Sequence, residues 1–485
     1  MTLLRRLFRI KRISSELPPG EHPLKRVLGP VDLILLGIGG IVGAGIFALV
    51  GTAAAGDAAR PGAGPALVLS FVLTGIACGF TALCYAEFAS LVPISGSAYT
   101  YAYVTLGEIV AWIIGWDLVL EYAVGNVAVA VSWSGYFCEF LRGFGLEFPR
   151  WLATDLRTAL ATPEILNAAP RVLGVPLVFN LPAVFIVTVL TVLLVVGIKE
   201  SAWLNAVMVG IKLLVLGFFV VVGIYYIKPE NWQPFAPNGW AGIQAGAAVV
   251  FFAFIGFDAV STAAEECRNP RRDLPIGILG SLAVCTLIYV VVAVVLTGMV
   301  PWQELNTAEP LSVAMRVVNQ NWAAGIVAFG SLVAHTAVLL VFQMGQPRVL
   351  FSMARDGLLP PALAKTHPRF KTPYLATILT GLFVGIGSAV ASLEEMADLC
   401  NIGTLSAFLI VSAGVLVLRQ REPDQRRGFR TPWVPWVPLL GILACLWLMF
   451  GLPWTAWIRF GVWLAAGIVF FALYGYRHSR LARDV

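Results

Sequence analysis

The chain has 485 residues, of which 59% are hydrophobic and only 12% are charged. Soluble proteins carry roughly twice that charged fraction, so the composition excludes a soluble multidomain protein and indicates a polytopic membrane protein. The net charge of +6 would suit a nucleic-acid partner, but the basic residues sort to one side of the predicted membrane, which argues against nucleic acid.

Apolar runs of about 18 residues or more predict roughly twelve membrane-spanning helices, and thus an all-α membrane protein. The predicted spans are 31–53, 66–92, 106–134, 181–198, 203–227, 241–266, 276–300, 324–352, 374–392, 396–418, 434–452 and 456–475. No separate soluble domain is indicated, so residues 31–475 form a single transmembrane domain. An even number of spans returns both termini to the same side.

The basic residues orient the chain. Loops on the side of the N-terminus hold about 23 Lys and Arg residues, against about 8 on the other side, so the positive-inside rule predicts that both termini are cytoplasmic. We therefore expect a multi-pass protein of the cell membrane, with a basic cytoplasmic segment at 1–30 and a cytoplasmic tail at 476–485. Within the first segment, 2–13 suits either a helix lying on anionic headgroups or a disordered basic tail.

The long connection from Phe137 to Leu181 lies on the outer side in this topology. It contains Phe, Trp and several Pro residues, a composition that favours packed surface helices over a flexible linker. We expect it to form an outer cap.

Two glycine-interrupted spans lie at matching places in the chain. The first five spans (31–227) and the next five (241–418) have similar lengths and start on opposite sides of the membrane, because five is an odd number. This pattern is typical of an inverted repeat, and 434–475 adds two further helices. The first span of each half is interrupted: GIGGIVGAGIF at Gly37–Phe47, and VVFFAFIGFDAVS at Val249–Ser261. A carboxylate, Asp258, follows the second interruption directly.

The glycine run has three interpretations. A dinucleotide fingerprint fails, because Val42 stands where the third glycine belongs and no strand precedes the run. A helix-packing face remains open, since small residues are common where membrane helices touch. A broken helix would instead expose amides and carbonyls with partial charges that match an amino acid. The residues of this predicted amino acid clamp are Gly43, Ala44 and Gly45 for the carboxylate, and the carbonyls of Ile41, Phe252, Ala253 and Ile255 for the ammonium.

Lys212 lies about nine residues inside the fifth predicted span, near 14 Å along a helix. Burial in an apolar medium favours the neutral amine, so such a lysine can exchange a proton. A structural cation bonded to backbone carbonyls and a snorkelling lysine are the alternatives.

Other polar groups also lie in the spans. Asp117 and Glu121 are one helical turn apart and share a face. Glu121, with Asp258, is a candidate counter-charge for a cationic substrate side chain; alternatively, it pairs structurally with Lys212 or a hydroxyl. His335 is a lone histidine on an apolar helix, where a satisfied core residue and a proton relay are both open, with the core residue favoured.

Several long motifs occur in order along the chain. They are GIGGIVGAGIF, Cys84–Glu108, Gly256–Ile278, Arg355–Pro360 and NIGTLSAF at Asn401–Phe408. Over nearly the whole chain they resemble the amino acid–polyamine–organocation transporters, and more narrowly the cationic amino acid transporter branch and its bacterial homologues. The resemblance implies a LeuT-like five-plus-five inverted repeat with discontinuous first and sixth helices, two peripheral helices, and rocking between outward-open and inward-open states.

The resemblance also places the substrate in the amino acid clamp and puts Lys212 where related sodium-driven proteins hold sodium, which implies proton coupling. Two departures stand out. Many relatives have Ser or Thr where this chain has Ala44, so a hydroxyl contact to the substrate carboxylate is lost. His335 replaces an apolar or small residue beside the substrate side chain.

These observations predict a proton-coupled importer of L-amino acids, cationic or small and neutral, working by alternating access in the lipid bilayer. An exchanger without net proton coupling is the alternative; a sensor or a channel is disfavoured by the lack of an output domain and of a filter motif. The sequence offers no nucleophile–base pair and no metal-ligand spacing, so we expect neither an enzyme nor a cofactor or metal. No obligate partner subunit is indicated.

Overall fold

A computed structural model describes residues 8–10, 26–92, 97–172, 174–197 and 202–483 of the chain. Most of the predicted segment 2–13 lies outside these residues. The helices of the first half are α1 Pro30–Ile41, α2 Val50–Ala55, α3 Leu67–Leu91, α4 Ser97–Thr105, α5 Glu108–Arg142, α6 Leu156–Ala161, α7 Pro163–Ala168, α8 Leu181–Val196 and α9 Ala202–Gly223. The second half has α10 Gly239–Val250, α11 Pro270–Met299, α12 Pro310–Val317, α13 Asn321–Arg355, α14 Tyr374–Val390, α15 Leu393–Arg421, α16 Trp436–Phe450, α17 Trp454–Phe470, α18 Tyr476–His478 and α19 Arg480–Arg483.

The described residues contain eight helices that are long and apolar enough to cross a membrane, and a ninth if α1 and the helical segment Gly45–Ala55 count as one bent span. Three shorter apolar helices, α8, α14 and α16, fall within further predicted spans. Large apolar side chains such as Leu214, Leu287 and Phe185 are 75%, 67% and 60% exposed, as expected of surfaces that face lipid. The all-α membrane class is therefore confirmed.

Helix starts follow local capping chemistry. Asp32 in the first turn of α1 accepts a hydrogen bond from the Gly29 amide at 2.8 Å, and Pro30 occupies the first helical position. Asn180 caps α8 by accepting from the Ala183 amide at 3.2 Å. At its other end α8 stops at Gly197, whose φ of +87° lies in the left-handed region.

Helix α5 extends beyond the predicted third span, 106–134. In the structure α5 continues to Arg142, and its last turns carry polar residues that interrupt the apolar run without breaking the helix. Glu139 is 5% exposed there and pairs with Arg142 at 2.8 Å and with Arg316 at 3.1 Å. These ion pairs stabilise polar residues that a hydropathy window reads as the end of a span.

The predicted outer cap contains short elements. After α5 the chain forms α6, α7 and a hairpin of β1 Arg171–Val172 and β2 Val175–Pro176, paired antiparallel. A small apolar core holds the cap together, and it is made of Ala159, Ile165, Ala169 and Val178.

The central helices pack around the glycine-rich segment. α5 packs against α13 and α15, while α11 packs against α1 and α3. The N-terminal segment lies beside the connection that precedes α11, because the Val27 and Leu28 amides both donate to the Glu266 carbonyl. Residues 27 and 28 and this connection are thus on the same side of the bundle.

Candidate functional site

The first break lies inside the predicted segment Gly37–Phe47. α1 ends at Ile41, Val42 is extended, and a π-helical turn, Gly45–Leu49, follows. Among the described residues, no backbone hydrogen bond uses the amide of Gly43, Ala44 or Gly45 as its donor. All three residues are buried. Three successive N–H groups are therefore available to an anion at the start of the second half-helix.

The second break is centred on Gly256. α10 ends at Val250, and a 3-10 turn, Phe251–Phe254, leads to Gly256, whose φ of +115° is a conformation that only glycine adopts readily. Another 3-10 segment, Asp258–Glu266, continues towards α11. The break lies within Val249–Ser261, where the sequence predicted it.

The two breaks pack directly against each other. A Cβ on Gly40 would lie 3.3 Å from the Gly256 carbonyl oxygen, and one on Gly45 would lie 2.2 Å from the Ala253 Cα. Because Gly40 meets Gly256 while the later Gly45 meets the earlier Ala253, the two segments run antiparallel. At Gly45 this backbone-to-backbone approach leaves no room for a Cβ, and at Gly40 a Cβ would be tightly packed.

Side chains from distant helices bind the carbonyl groups beside the breaks. Tyr289 of α11 donates to the Ile41 carbonyl at 3.1 Å, and Tyr136 of α5 donates to the Phe47 carbonyl. Asn401 of α15 donates to the Ala248 carbonyl at 2.8 Å, just before the second break. None of these three residues was predicted from the sequence. Their signal was a lone polar group in an apolar helix, a group that must find a buried partner.

Lys212 lies at the first break. It is fully buried, and its ammonium donates to the Gly39 carbonyl at 2.7 Å and to the Val42 carbonyl at 3.0 Å. Both acceptors belong to the C-terminal end of α1, where the helix dipole leaves partial negative charge. The ammonium therefore links α9 to the end of the half-helix, and the snorkelling interpretation is wrong.

Glu121 and Asp258 lie close to each other and to Tyr85. Asp258 follows Gly256, which packs against Gly40 rather than against Gly45. Both carboxylates are 1% exposed. Thr404 is the hydroxyl neighbour of Glu121, and neither oxygen of Asp258 makes a hydrogen bond of good geometry within the described residues. Asp117, one turn from Glu121, is likewise buried without such a bond.

His335 lies on the other side of the first break. Its ring is 5.9 Å from that of Phe47 and 5.6 Å from that of Tyr136, measured between centroids. Nδ1 donates to the Ser331 carbonyl at 2.7 Å, which leaves Nε2 to accept from the Ser132 hydroxyl, also at 2.7 Å. Both ring nitrogens are satisfied, which favours the core interpretation of this histidine.

A further carboxyl lies near Tyr136, on the side of the outer cap. Burial, together with the neighbouring carboxylate of Glu139, raises the pKa of Glu309 to about 7 against the opposing effect of Arg316. A Cβ on Gly135, the residue before Tyr136, would lie 3.4 Å from Glu309 Oε2. Glu309 directly precedes the short helix α12 and is not part of a helix long enough to cross a membrane.

Known proteins resemble the whole chain. The family model described as amino acid permease matches residues 28–476. A branched-chain amino acid permease of Bacillus subtilis is 49% identical over 479 residues, covering 98% of this chain and 99% of that protein. A methylthioribose transporter of the same organism is 46% identical over 476 residues, with 98% and 99% coverage. A vacuolar cationic amino acid transporter of Arabidopsis thaliana is 39% identical over 411 residues, covering 84% of this chain and 65% of that protein.

These similarities extend through α1, α10 and the glycine breaks that the two helices border, because each of the two Bacillus matches covers almost the complete chain. The proteins matched are permeases and transporters. A substrate-binding role is consistent with the free backbone amides at the first break. The chain belongs to the amino acid permease family of the amino acid–polyamine–organocation superfamily, and it is an amino acid transporter rather than an enzyme.

Proposed function

We propose that this protein is a proton-coupled symporter of L-amino acids in the cell membrane, with both termini cytoplasmic and no obligate partner subunit. Twelve spans follow if the three shorter apolar helices cross the bilayer together with the eight long helices and the bent pair. The orientation is supported by the position of residues 27 and 28 against the connection that holds Arg268 and leads into the first turn of α11, which carries Arg271 and Arg272.

The packing of the two breaks supports a five-plus-five inverted repeat. The first span of one repeat must run opposite to the first span of the other, and the contacts of Gly40 with Gly256 and of Gly45 with Ala253 have that antiparallel order. Alternating access then corresponds to rocking of the half-helices about this crossing.

The amino acid clamp rests on the free backbone groups. The substrate carboxylate would accept from the amides of Gly43, Ala44 and Gly45, at the positive end of the second half-helix. The ammonium would bind the carbonyls of Ile41, Phe252, Ala253 and Ile255. A carbonyl oxygen has two lone pairs, so the bond from Tyr289 leaves Ile41 able to accept a second one.

The observation that carries proton coupling is the pair of bonds from Lys212 to the Gly39 and Val42 carbonyls. Hydrogen bonds from a charged donor contribute about 1.5–3 kcal/mol each. Deprotonation would remove the charge from both bonds, and the end of α1 would then be free to move against α9. Protonation of Lys212 would favour the arrangement in which the end of α1 is held against α9. If the substrate is carried in that arrangement, substrate and proton cross the membrane together.

An exchanger without net proton movement is the alternative function. Purified protein in liposomes distinguishes the two: we expect uptake of labelled substrate to follow an imposed inward proton gradient, and to fall to background when an ionophore collapses that gradient. Uptake that ignores the gradient but requires substrate inside the liposome would establish exchange.

We expect neutral aliphatic amino acids to be better ligands than arginine or lysine. The branched-chain permease, at 49% identity, is more similar to this chain than the vacuolar cationic transporter, at 39%. Asp258 follows Gly256, which packs against Gly40 rather than against Gly45. Ligands that bind the native state raise the melting temperature, so a thermal-shift screen of amino acids and methylthioribose measures the preference. Stabilisation by arginine or lysine that Glu121→Gln removes would instead support the counter-charge role of Glu121.

We expect Ala44→Thr to tighten substrate binding. A hydroxyl at this position would add one hydrogen bond to the substrate carboxylate, worth about 1 kcal/mol and thus roughly fivefold in Kd. The check is a titration of the best ligand from the screen by isothermal calorimetry, with Ala48→Thr on the next turn as the matched control. Weaker binding in both variants alike would indicate that the glycine run serves helix packing.

A further inference from the structure

A long apolar groove lies between α3 and α11 on the lateral surface of the helix bundle. Its volume is about 700 Å³, and it is lined mainly by aliphatic residues, among them Val72, Ile76, Leu83, Leu282, Leu287 and Val290. Two glycines of α3 form it: Gly75 packs closely against Thr286, and a Cβ on Gly79 would meet no atom within 4 Å. The groove exists because α3 has no side chain at Gly79 to fill it.

A basic pocket of about 580 Å³ continues the groove towards the start of α11. Arg271, Arg272, Gly428 and Phe429 line it, and Leu279 is shared with the apolar groove. Both arginines are exposed, and in the described part of the chain neither makes a side-chain ion pair. The adjacent carboxylate, Glu87, is already engaged by Arg419 at 2.8 Å and by Arg427 at 3.0 Å. Within the described residues, the two exposed guanidinium groups that line the pocket are therefore not paired with a carboxylate.

The dimensions match one lipid in one leaflet. From Leu279 to Val290 the groove extends eleven residues along α11, or about 16 Å. Half of a hydrocarbon core of about 30 Å is nearly the same length. The arginines lie at the end of α11 that adjoins the N-terminal segment, where headgroups of that leaflet would be.

We propose that this groove is a binding site for an anionic phospholipid of the cytoplasmic leaflet. The phosphate group would bind Arg271 and Arg272, and an acyl chain would lie over Gly79 between α3 and α11. A basic pocket between membrane helices on the cytoplasmic side is the arrangement that recognises acidic headgroups. The proposal is independent of the transported substrate; only the choice of leaflet depends on the proposed orientation.

Native mass spectrometry of the detergent-purified protein tests the site. We expect phosphatidylglycerol to bind as a discrete adduct with higher occupancy than phosphatidylethanolamine. Each arginine beside an anionic headgroup is worth about a factor of five, so Arg271→Gln with Arg272→Gln should weaken phosphatidylglycerol binding roughly thirtyfold. Cardiolipin, titrated in parallel, distinguishes a two-chain from a four-chain anionic lipid.

A groove-filling variant tests the apolar half. Gly79→Leu should lower phosphatidylglycerol occupancy without a packing clash, whereas Gly217→Leu, at another helical glycine with no atom within 4 Å of its Cβ position, should not. Melting temperatures of both variants establish that they fold. Equal binding of anionic and zwitterionic lipids, binding unchanged by the arginine or Gly79 substitutions, or a copurifying polypeptide in place of lipid would each overturn the proposal.

Discussion

Lys212→Ala is expected to abolish gradient-driven uptake while leaving measurable substrate binding. The substitution removes the ammonium that links α9 to the Gly39 and Val42 carbonyls. It leaves both buried acceptors without this donor, at a cost of about 1–3 kcal/mol each, so a lower melting temperature should accompany the loss. The clamp amides at Gly43–Gly45 are unchanged, which is why binding should persist. Proteoliposome uptake with and without a proton gradient, together with the thermal-shift assay, measures both effects.

The matched control is Lys228→Ala, because Lys228 is a lysine outside the bundle core, just beyond the end of α9. We expect it to transport as the unmodified protein does. Lys212→Arg separates a proton carrier from a structural cation, since a guanidinium keeps its charge across the accessible pH range. Exchange without gradient-driven uptake in this variant would support proton coupling. Full gradient-driven uptake by Lys212→Arg would show that the charge is structural.

A variant that does not fold cannot decide the question, so the unmodified protein supplies a second readout. A pH dye inside the liposomes should report acidification when substrate is added outside. An internal pH that does not change during net uptake would contradict the coupling proposal, independently of the results with the Lys212 variants.

The positions of the breaks could be predicted because they depend on the local sequence. Glycine is the residue that tolerates the φ of +115° at Gly256 and the close approach at Gly45, and such residues interrupt otherwise continuous apolar runs. The depth of Lys212 within its span, counted along the sequence, indicated a buried lysine, and the side chain is buried in the structure.

The partners of the breaks were not predictable in the same way. Tyr289 lies 248 residues from Ile41, Tyr136 lies 89 residues from Phe47, and Asn401 lies 153 residues from Ala248. Hydropathy and periodicity describe one helix at a time, and they contain no information on which helices meet. The same limit applies to Glu121 and Asp258: their pairing needs the crossing of α5 with the second break, which only the assembled bundle specifies.

Gly45→Ala is expected to abolish transport and to lower the melting temperature. Its Cβ would lie 2.2 Å from the Ala253 Cα and 2.6 Å from the Ala253 nitrogen, so backbone atoms must move. Alanine gains about 1 kcal/mol of helix propensity over glycine, but overpacking costs about 1–3 kcal/mol or more. Because the obstacle is backbone, adding Ala253→Gly should not restore activity.

Gly43→Ala offers the informative contrast. Its Cβ would lie 2.7 Å from Val338 Cγ2, a side-chain atom, so we expect a milder defect that the second change Val338→Ala relieves. Gly217→Ala, with no atom within 4 Å, should match the unmodified protein in uptake and melting temperature. Wild-type transport by Gly45→Ala, or its rescue by Ala253→Gly, would contradict the close backbone contact of Gly45 with Ala253, one of the two contacts from which the antiparallel crossing of the breaks is inferred. Since the inverted repeat is inferred from that crossing, these glycines test the architecture and the clamp together, and Lys212 tests only the coupling.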